Sequence, residues 1–300
     1  MQDICSLGRE ARIVLMNGGL GNQMCQYFFL RWLEIKTGKE CLASDYEFCI
    51  DNPAHNGYEL ERLFHIKVNR LSEKIPPDIW QNMMKKYLHD KIGICQQLLD
   101  MGYPVTMLTE YDDFVFNGNL IYMNGYMPLL ELARGFLYFN GYWIHDKYFQ
   151  DIKDYLLKEI CFPPLVGDKN LKMSVLMKST NSVCVHIRRG DFITANITLP
   201  NEIYKKAVGL LEQRESSMVY FVFSDDIPWC KENRHALGLS GKEVIFVEGN
   251  KGEHAYMDMQ LMTMCKHRIV SNSSFSYLAA VLREDRDGMI VNLFPSRTIS

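Results

Sequence analysis

Residues His186-Ile187-Arg188-Arg189-Gly190-Asp191 follow directly on the apolar run Val183-Cys184-Val185, which sets two guanidinium groups and a carboxylate at the carboxyl end of a buried strand. Open α/β sheets bind their ligands at that end of the strands. Charge held so close to a core is costly unless an opposite charge meets it, and a planar guanidinium fork matches phosphate oxygens. Arg188 and Arg189 therefore read as a seat for an anion such as phosphate, against the plainer reading of two surface arginines capping a strand. Side chains alternate along a strand, so His186 and Arg188 should share one face while Ile187 and Arg189 share the other. One arginine then faces a ligand, and the second pairs with a carboxylate such as Asp191 and fixes the loop. His186, alone readable as a satisfied core histidine, gains weight beside these groups. Residues 189–191 also spell an adhesion tripeptide, a poor reading directly after a buried strand.

Three further turns offer related chemistry. Val219-Tyr220-Phe221-Val222-Phe223 ends in Ser224-Asp225-Asp226. Paired carboxylates there can hold Mg²⁺, accept the two N–H donors on the Watson–Crick edge of guanine, or cap the helix that begins near Pro228. The neighbouring arginines already supply the positive charge a diphosphate needs, which favours base recognition over a metal. Ser271-Asn272-Ser273-Ser274 lies between a strand at Ile269-Val270 and an apolar helix from Phe275, so its hydroxyls and helix-start amides can donate to phosphate oxygens or cap the helix. Near the amino terminus, Arg12–Met16 reads as a strand, Asn17-Gly18-Gly19-Leu20-Gly21 as a glycine loop, and Met24, Phe28, Trp32 and Ile35 as the apolar stripe of a helix. That loop lacks the G-x-G-x-x-G spacing of a dinucleotide site, so a tight turn competes with contact to a diphosphate. Four elements at strand-to-helix turns make one nucleotide site the economical account.

Composition narrows the partners. Thirty-three basic against thirty-six acidic residues give a formal charge of -3, which supplies no general field for nucleic acid or an anionic membrane. Nine cysteines fall without metal-ligand spacing, so no zinc site or disulfide framework is expected, and scattered thiols suit a reducing compartment. The first ten residues carry no apolar stretch fit for a signal peptide, which reads as cytoplasmic. The glycosylation sequons at Asn196 and Asn272 are silent without export.

The chain's 300 residues suit two domains of about 150 residues each. After a segment read as helix from Pro77 to Met101, a strand near Leu120–Met123 and an aromatic stretch Phe136–Trp143, a second helix from Asp146 to Glu159 runs into Pro163-Pro164. The polar segment through Asn170 reads as a connection, which places domains at 1–164 and 165–300. Tyr126, Tyr138, Tyr142 and Trp143 offer sugar-stacking faces or core packing. Beyond residue 165, strands at 182–187, 219–223, 244–247, 269–270 and 290–293 alternate with helices at 202–214, after Pro228, 255–265 and 275–282, the pattern of a Rossmann-like parallel sheet covered on both faces.

The motifs Asn17-Gly-Gly-Leu-Gly-Asn-Gln-Met24, His186-Ile-Arg-Arg-Gly-Asp191, Ser224-Asp-Asp226 with Trp229-Cys230, and Tyr256-Met-Asp-Met259 through Ser273-Ser-Phe-Ser276 together resemble the bacterial α-1,2-fucosyltransferases in order and spacing. The resemblance covers nearly the whole chain, with Gly57-Tyr-Glu-Leu60, Gly141-Tyr-Trp143 and Lys147-Tyr-Phe149 as lesser matches. It implies an α/β, GT-B type fold, two Rossmann-like domains facing across a cleft, the first on the acceptor side and the second binding GDP-fucose. It implies inverting, metal-independent transfer of L-fucose from GDP-fucose to the 2-hydroxyl of a terminal β-galactoside, with no cofactor beyond the donor. Arg188 and Arg189 match the family's arginine pair, of which at least one is implied to hold the donor diphosphate. His186 and Asp225, with Asp226 beside it, fall where related enzymes contact guanine. Gly18, Gly19, Gly21, Asn22 and Gln23, and Ser273, Ser274, Phe275 and Ser276, match segments that close around the phosphates. Asp191 is the candidate general base, with orientation of Arg189 as its rival role. Cys25 and Tyr277-Leu278-Ala279-Ala280 depart from the usual Phe and Trp-Trp-Gly-Ala. The alternatives are a fucosyltransferase of other acceptor or linkage, or a nucleotide- or glycan-binding protein without turnover. A lipid-linked acceptor would bring peripheral contact with the cytoplasmic face of the inner membrane.

Overall fold

Strand β1 (Ala11–Leu15) is buried along its whole length and passes through a glycine turn into α1 (Leu20–Thr37). These come from a computed structural model that describes residues 7–50, 55–87, 92–113, 115–123, 125–126, 134–283 and 287–294. The chain divides into two compact units, Met1–Cys161 and Phe162–Ser300.

In the first unit, β2 (Leu42–Ser44), α2 (Glu59–Phe64), α3 (Pro77–Tyr87), α4 (Gly93–Asp100), β3 (Val105–Thr109), β4 (Asn119–Tyr122), β5 (Phe136–Asn140), α5 (Asp146–Gln150) and α6 (Lys153–Glu159) follow. The strands order as β2-β1-β5-β3-β4, and every pairing is parallel. The sequence suggests one helix over 77–101; the described residues instead hold two, and residues 88–91 lie outside them. The expected helix over 146–159 is likewise two short ones, α5 and α6. Helix α1 buries nearly all its circumference from Leu20 to Leu33, not one stripe. Its Phe29 stacks on Trp143 with ring centroids 4.4 Å apart. Core packing is therefore the role of Trp143 and Tyr138, both fully enclosed, whereas Tyr126 and Tyr142 are half-buried.

The second unit opens on α7 (Asp168–Ser179), a helix where the sequence suggested a polar connection through Asn170. Only Met177 of that helix is buried, which is why no apolar periodicity announced it. Then come β6 (Asn181–Ile187), α8 (Gly190–Thr194), α9 (Asn201–Glu212), β7 (Met218–Ser224), α10 (Ile227–Glu232), β8 (Glu243–Phe246), α11 (Tyr256–Met264), β9 (His267–Val270), α12 (Ser274–Val281) and β10 (Ile290–Asn292). The sheet runs β8-β7-β6-β9-β10, again parallel throughout. Counted from its own first strand this is the 3-2-1-4-5 order of a doubly wound fold, whose switch point falls between β6 and β9. One face of the sheet packs Val183, Val185, Val222 and Ile269 against Tyr204, Val208 and Leu211 of α9. No helix among the described residues is long and apolar enough to cross a membrane.

Candidate active site at the switch point of the second unit

The strand order reverses at β6 and β9, so the connections leaving the carboxyl ends of these two parallel strands go to opposite faces of the sheet and open a crevice. His186, second to last in β6, spans that crevice: its Nδ1 lies 2.9 Å from the Ser271 Oγ at the end of β9. The imidazole is buried, with 6% of its surface exposed. Burial, helped by the Arg188 charge, pushes its pKa down to about 3, so the ring is neutral at pH 7 and offers one donor and one acceptor. Its ring centroid is 5.8 Å from that of Phe275, at the start of α12.

Strand β6 ends at Ile187, and the two arginines leave it in different directions. Arg188 donates from Nε and Nη2 to one oxygen of Asp191, Oδ1, at 2.9 and 2.8 Å, and its Nη1 lies 3.2 Å from Asp225 Oδ2. Arg189 turns to Asp226, with Nε 3.1 Å from Oδ2, and lays its guanidinium 3.6 Å above the Trp229 ring, a cation–π contact. The carboxylate that fixes Arg189 is thus Asp226, and Asp191 pairs with Arg188. The expected pairing of Asp191 with Arg189 does not occur, because α8 winds Asp191 back over the residue three before it.

The acidic pair of β7 is committed to these arginines. Asp225 Oδ1 accepts the Arg189 backbone N–H at 2.9 Å and Oδ2 faces Arg188. Asp226 also caps α10 by accepting from Trp229 N at 3.2 Å, with Pro228 in the first turn, so the plain capping reading holds for it. A Cβ on Gly190 would sit 2.6 Å from Asp225 Oδ2, and only glycine admits the carboxylate this close to α8.

A cavity of about 720 Å³ adjoins these groups, lined among others by His186, Arg188, Asp225, Phe275 and Asp258. That volume accommodates a drug-sized or nucleotide ligand. Asp258, within the Tyr256–Met259 motif but given no role by sequence, is the residue that sequence reasoning missed. It sits half-buried on α11, its Oδ1 accepts from Asn250 Nδ2 at 2.7 Å, and its Oδ2 takes no hydrogen bond among the described residues. Burial pushes its pKa up to about 6, with Asn250 and Lys169 opposing. Of the cavity's three carboxylates, Asp225 is held by the arginines and Glu248 by Lys231 at 2.9 Å. Asp258 keeps an oxygen for a ligand.

At the β9–α12 turn, Ser273 occupies the N-cap with extended backbone and makes no side-chain cap bond. Ser276 is buried, its Oγ accepting from Ser271 N at 3.0 Å, so it shapes the turn from within. Phe275 lines the cavity, and Ser274 sits half-buried beside it.

The glycine loop belongs to the first unit. Gly18 has φ +74°, and a Cβ there would meet the Asn22 side chain at 2.6 Å; Gly19 is the N-cap of α1, its carbonyl accepting from Asn22 N and Gln23 N, and Gly21 is buried in the first turn. Gln23 is wholly enclosed: Nε2 donates to the Gly18 and Gly57 carbonyls, both at 2.8 Å, and Oε1 accepts from Glu59 N at 2.9 Å. Its whole amide is spent on the fold.

Residues 13–296 match glycosyl transferase family 11. The chain belongs to that family. Glycosyltransferase membership agrees with the resemblance read from the motifs, and the protein is an enzyme of that class. It is 29% identical over 279 residues to an alpha-1,2-colitosyltransferase of Escherichia coli, spanning 90% of this chain and 87% of that one. An O-antigen biosynthesis glycosyltransferase, WbnK of Escherichia coli, is 28% identical over 291 residues and 92% of each chain. Among solved structures, the fucosyltransferase NodZ from Bradyrhizobium aligns over 92% of this glycosyltransferase and 93% of its own chain at 12% identity, with a TM-score of 0.47.

Proposed function

We propose that this glycosyltransferase moves L-fucose from GDP-fucose to the 2-hydroxyl of a terminal β-galactoside, with inversion at the sugar's C1. The observation that carries the reading is one cavity joining a guanidinium, a neutral histidine, an aromatic ring and a carboxylate with an uncommitted oxygen. A purine stacks on the Phe275 ring, and Asp258 accepts the N1–H and N2–H donors that guanine alone among the common bases presents side by side. On this reading base recognition falls to Asp258 rather than Asp225, whose Oδ1 holds the Arg189 backbone N–H at the turn. Arg188 and Arg189 exchange their carboxylate partners for diphosphate oxygens, and the start of α12 adds amide dipoles.

Charge grows on the diphosphate as the C1–O bond breaks, so donors aimed there stabilise the transition state more than the bound donor. These guanidiniums supply the positive charge that the departing diphosphate needs. No metal enters the proposed step. Asp191 takes the acceptor proton: both Arg188 bonds fall on its Oδ1, the side chain is 60% exposed, and Oδ2 takes no hydrogen bond among the described residues. The GT-B arrangement belongs to the same proposal, with the Gly18–Gln23 loop on the acceptor unit. Eight free cysteines among the described residues, six of them buried, support a cytoplasmic setting, where a lipid-linked acceptor would draw the enzyme to the membrane face.

A second reading follows from the colitosyltransferase relative: colitose is fucose lacking its 3-hydroxyl, and the same cavity would take either GDP-sugar. GDP release is measured with GDP-fucose or GDP-colitose, each with lactose, N-acetyllactosamine or no acceptor. Acceptor-dependent release from GDP-fucose, with product linkage assigned by NMR, is the expected result. Release from GDP-colitose alone overturns the donor assignment, and no release with tight GDP binding points to a protein without turnover.

A further inference from the structure

Asp258 does not hold its position alone. Asn250, in the loop after β8, donates from Nδ2 to Asp258 Oδ1 at 2.7 Å and to Asn170 Oδ1 at 3.0 Å. Asn170, on α7, returns a bond from its own Nδ2 to Asn250 Oδ1 at 3.0 Å. The two amides thus form a closed, reciprocal pair. Asn170 is anchored in turn by donating to the Val166 carbonyl at 3.1 Å. Both N–H groups of Asn250 are therefore committed, one to its partner amide and one to the carboxylate, and flipping it would put a carbonyl oxygen against Asp258.

We propose that the Asn170–Asn250 amide pair is a positioning unit that sets base specificity, by tying Oδ1 of Asp258 down and turning Oδ2 toward the cavity. The inference rests on the reading of Asp258 as the guanine-recognising group. Each carboxylate oxygen has two lone-pair sites, so Oδ1 can accept one guanine N–H beside the Asn250 bond while Oδ2 accepts the other, provided the plane of the carboxylate is fixed. An untethered Asp258 would rotate and accept N1–H alone, a contact that hypoxanthine offers equally. Selectivity for guanine over hypoxanthine then depends on residues that touch neither base.

Charge matters as well as angle. The titratable and polar groups near Asp258 are Lys169 on α7, Cys184 on β6, Glu248, Asn250 and Lys251 in the loop after β8, and His186, Arg188 and Asp225 in the lining of the same cavity. The N–H from Asn250 favours the ionised carboxylate, so its loss raises the pH at which Asp258 takes up a proton and stops accepting from guanine.

Calorimetric titration with GDP and with IDP, which lacks the 2-amino group, from about pH 5 to pH 8 tests this on the parent, Asp258→Asn, Asn250→Leu and Asn170→Ala. In Asn250→Leu the preference for GDP over IDP should fall about tenfold, the scale of one hydrogen bond to a charged group, and the acid limb of GDP binding should move to higher pH. Asn170→Ala should move both readouts the same way by less, and it carries the test if Asn250→Leu does not fold. A purely structural role would weaken GDP and IDP alike and leave the acid limb where it was; that result overturns the proposal, as does parental behaviour of both asparagine variants. If Asp258→Asn keeps the full preference for GDP, the base-reading assignment itself falls. If Asp258→Asn loses the preference and the asparagine variants keep it, only the positioning role falls.

Discussion

Acid should destabilise this protein through one buried ring. The unfolded chain protonates His186 near pH 6.5, whereas the folded imidazole holds out to about 3 because burial and Arg188 oppose the charge. Between those values the unfolded state binds the extra proton, so stability is full above pH 6.5 and falls as the pH drops toward 3. From pH 6.5 to pH 5 the loss amounts to about 2 kcal/mol, at about 1.4 kcal/mol per pH unit. His186→Asn keeps a polar atom within reach of Ser271 and removes the titration. Asp258 acts in the opposite sense, since burial holds its carboxyl at about 6, above the usual carboxylate range, but it does so in parent and variant alike and cancels in their difference. Urea unfolding of both proteins at pH 7 and pH 5 measures that difference. The parent should lose about 2 kcal/mol more than the variant over this interval. Parallel losses, within about 0.5 kcal/mol, would refute the claim that the folded imidazole stays neutral.

Arg188→Lys and Arg189→Lys keep the charge but lose the planar fork, and Arg189→Lys also loses the guanidinium face on Trp229; each should lower kcat by about 10²–10³ with GDP-fucose and acceptor, and parental turnover in both would remove them from the proposed step. Gly190→Ala drives a methyl group to 2.6 Å from Asp225 Oδ2, so the Arg188 pairing should break and GDP binding weaken while far-UV circular dichroism is unchanged. Gln23→Leu leaves the Gly18 and Gly57 carbonyls and the Glu59 N–H without their partner, at a cost of about 2–4 kcal/mol in denaturant unfolding; a smaller loss would mean that the loop relaxes onto water.

The second unit was readable because its strands are long and apolar enough to end abruptly in charge. Val183–Ile187 running into Arg188, and Val219–Phe223 running into Asp225, mark their carboxyl ends without ambiguity. In the first unit, β2 has three residues and β3 carries Thr106 and Thr109 within a buried run, so neither stands out by length or alternation, and the parallel order emerges only from long-range pairing. Asp258 escaped for a different reason. On α11, amid Tyr256, Met257 and Met259, a single carboxylate resembles any helix residue turned to water, and what makes it special is the loop around Asn250, brought there by tertiary contact. The partner choice of the arginines was equally invisible: spacing puts Asp191 within reach of either, and the turn into α8 decides for Arg188.

The three carboxylates that already hold Arg188 and Arg189 have a consequence for how an anion enters the site. An incoming anion competes with Asp191 and Asp225 for Arg188 and with Asp226 for the Arg189 Nε. In the proposed reaction, a diphosphate tethered to a purine brings several oxygens to that exchange at once. On that reading the resting carboxylates act as internal competitors, which a ligand engaging several donors together displaces.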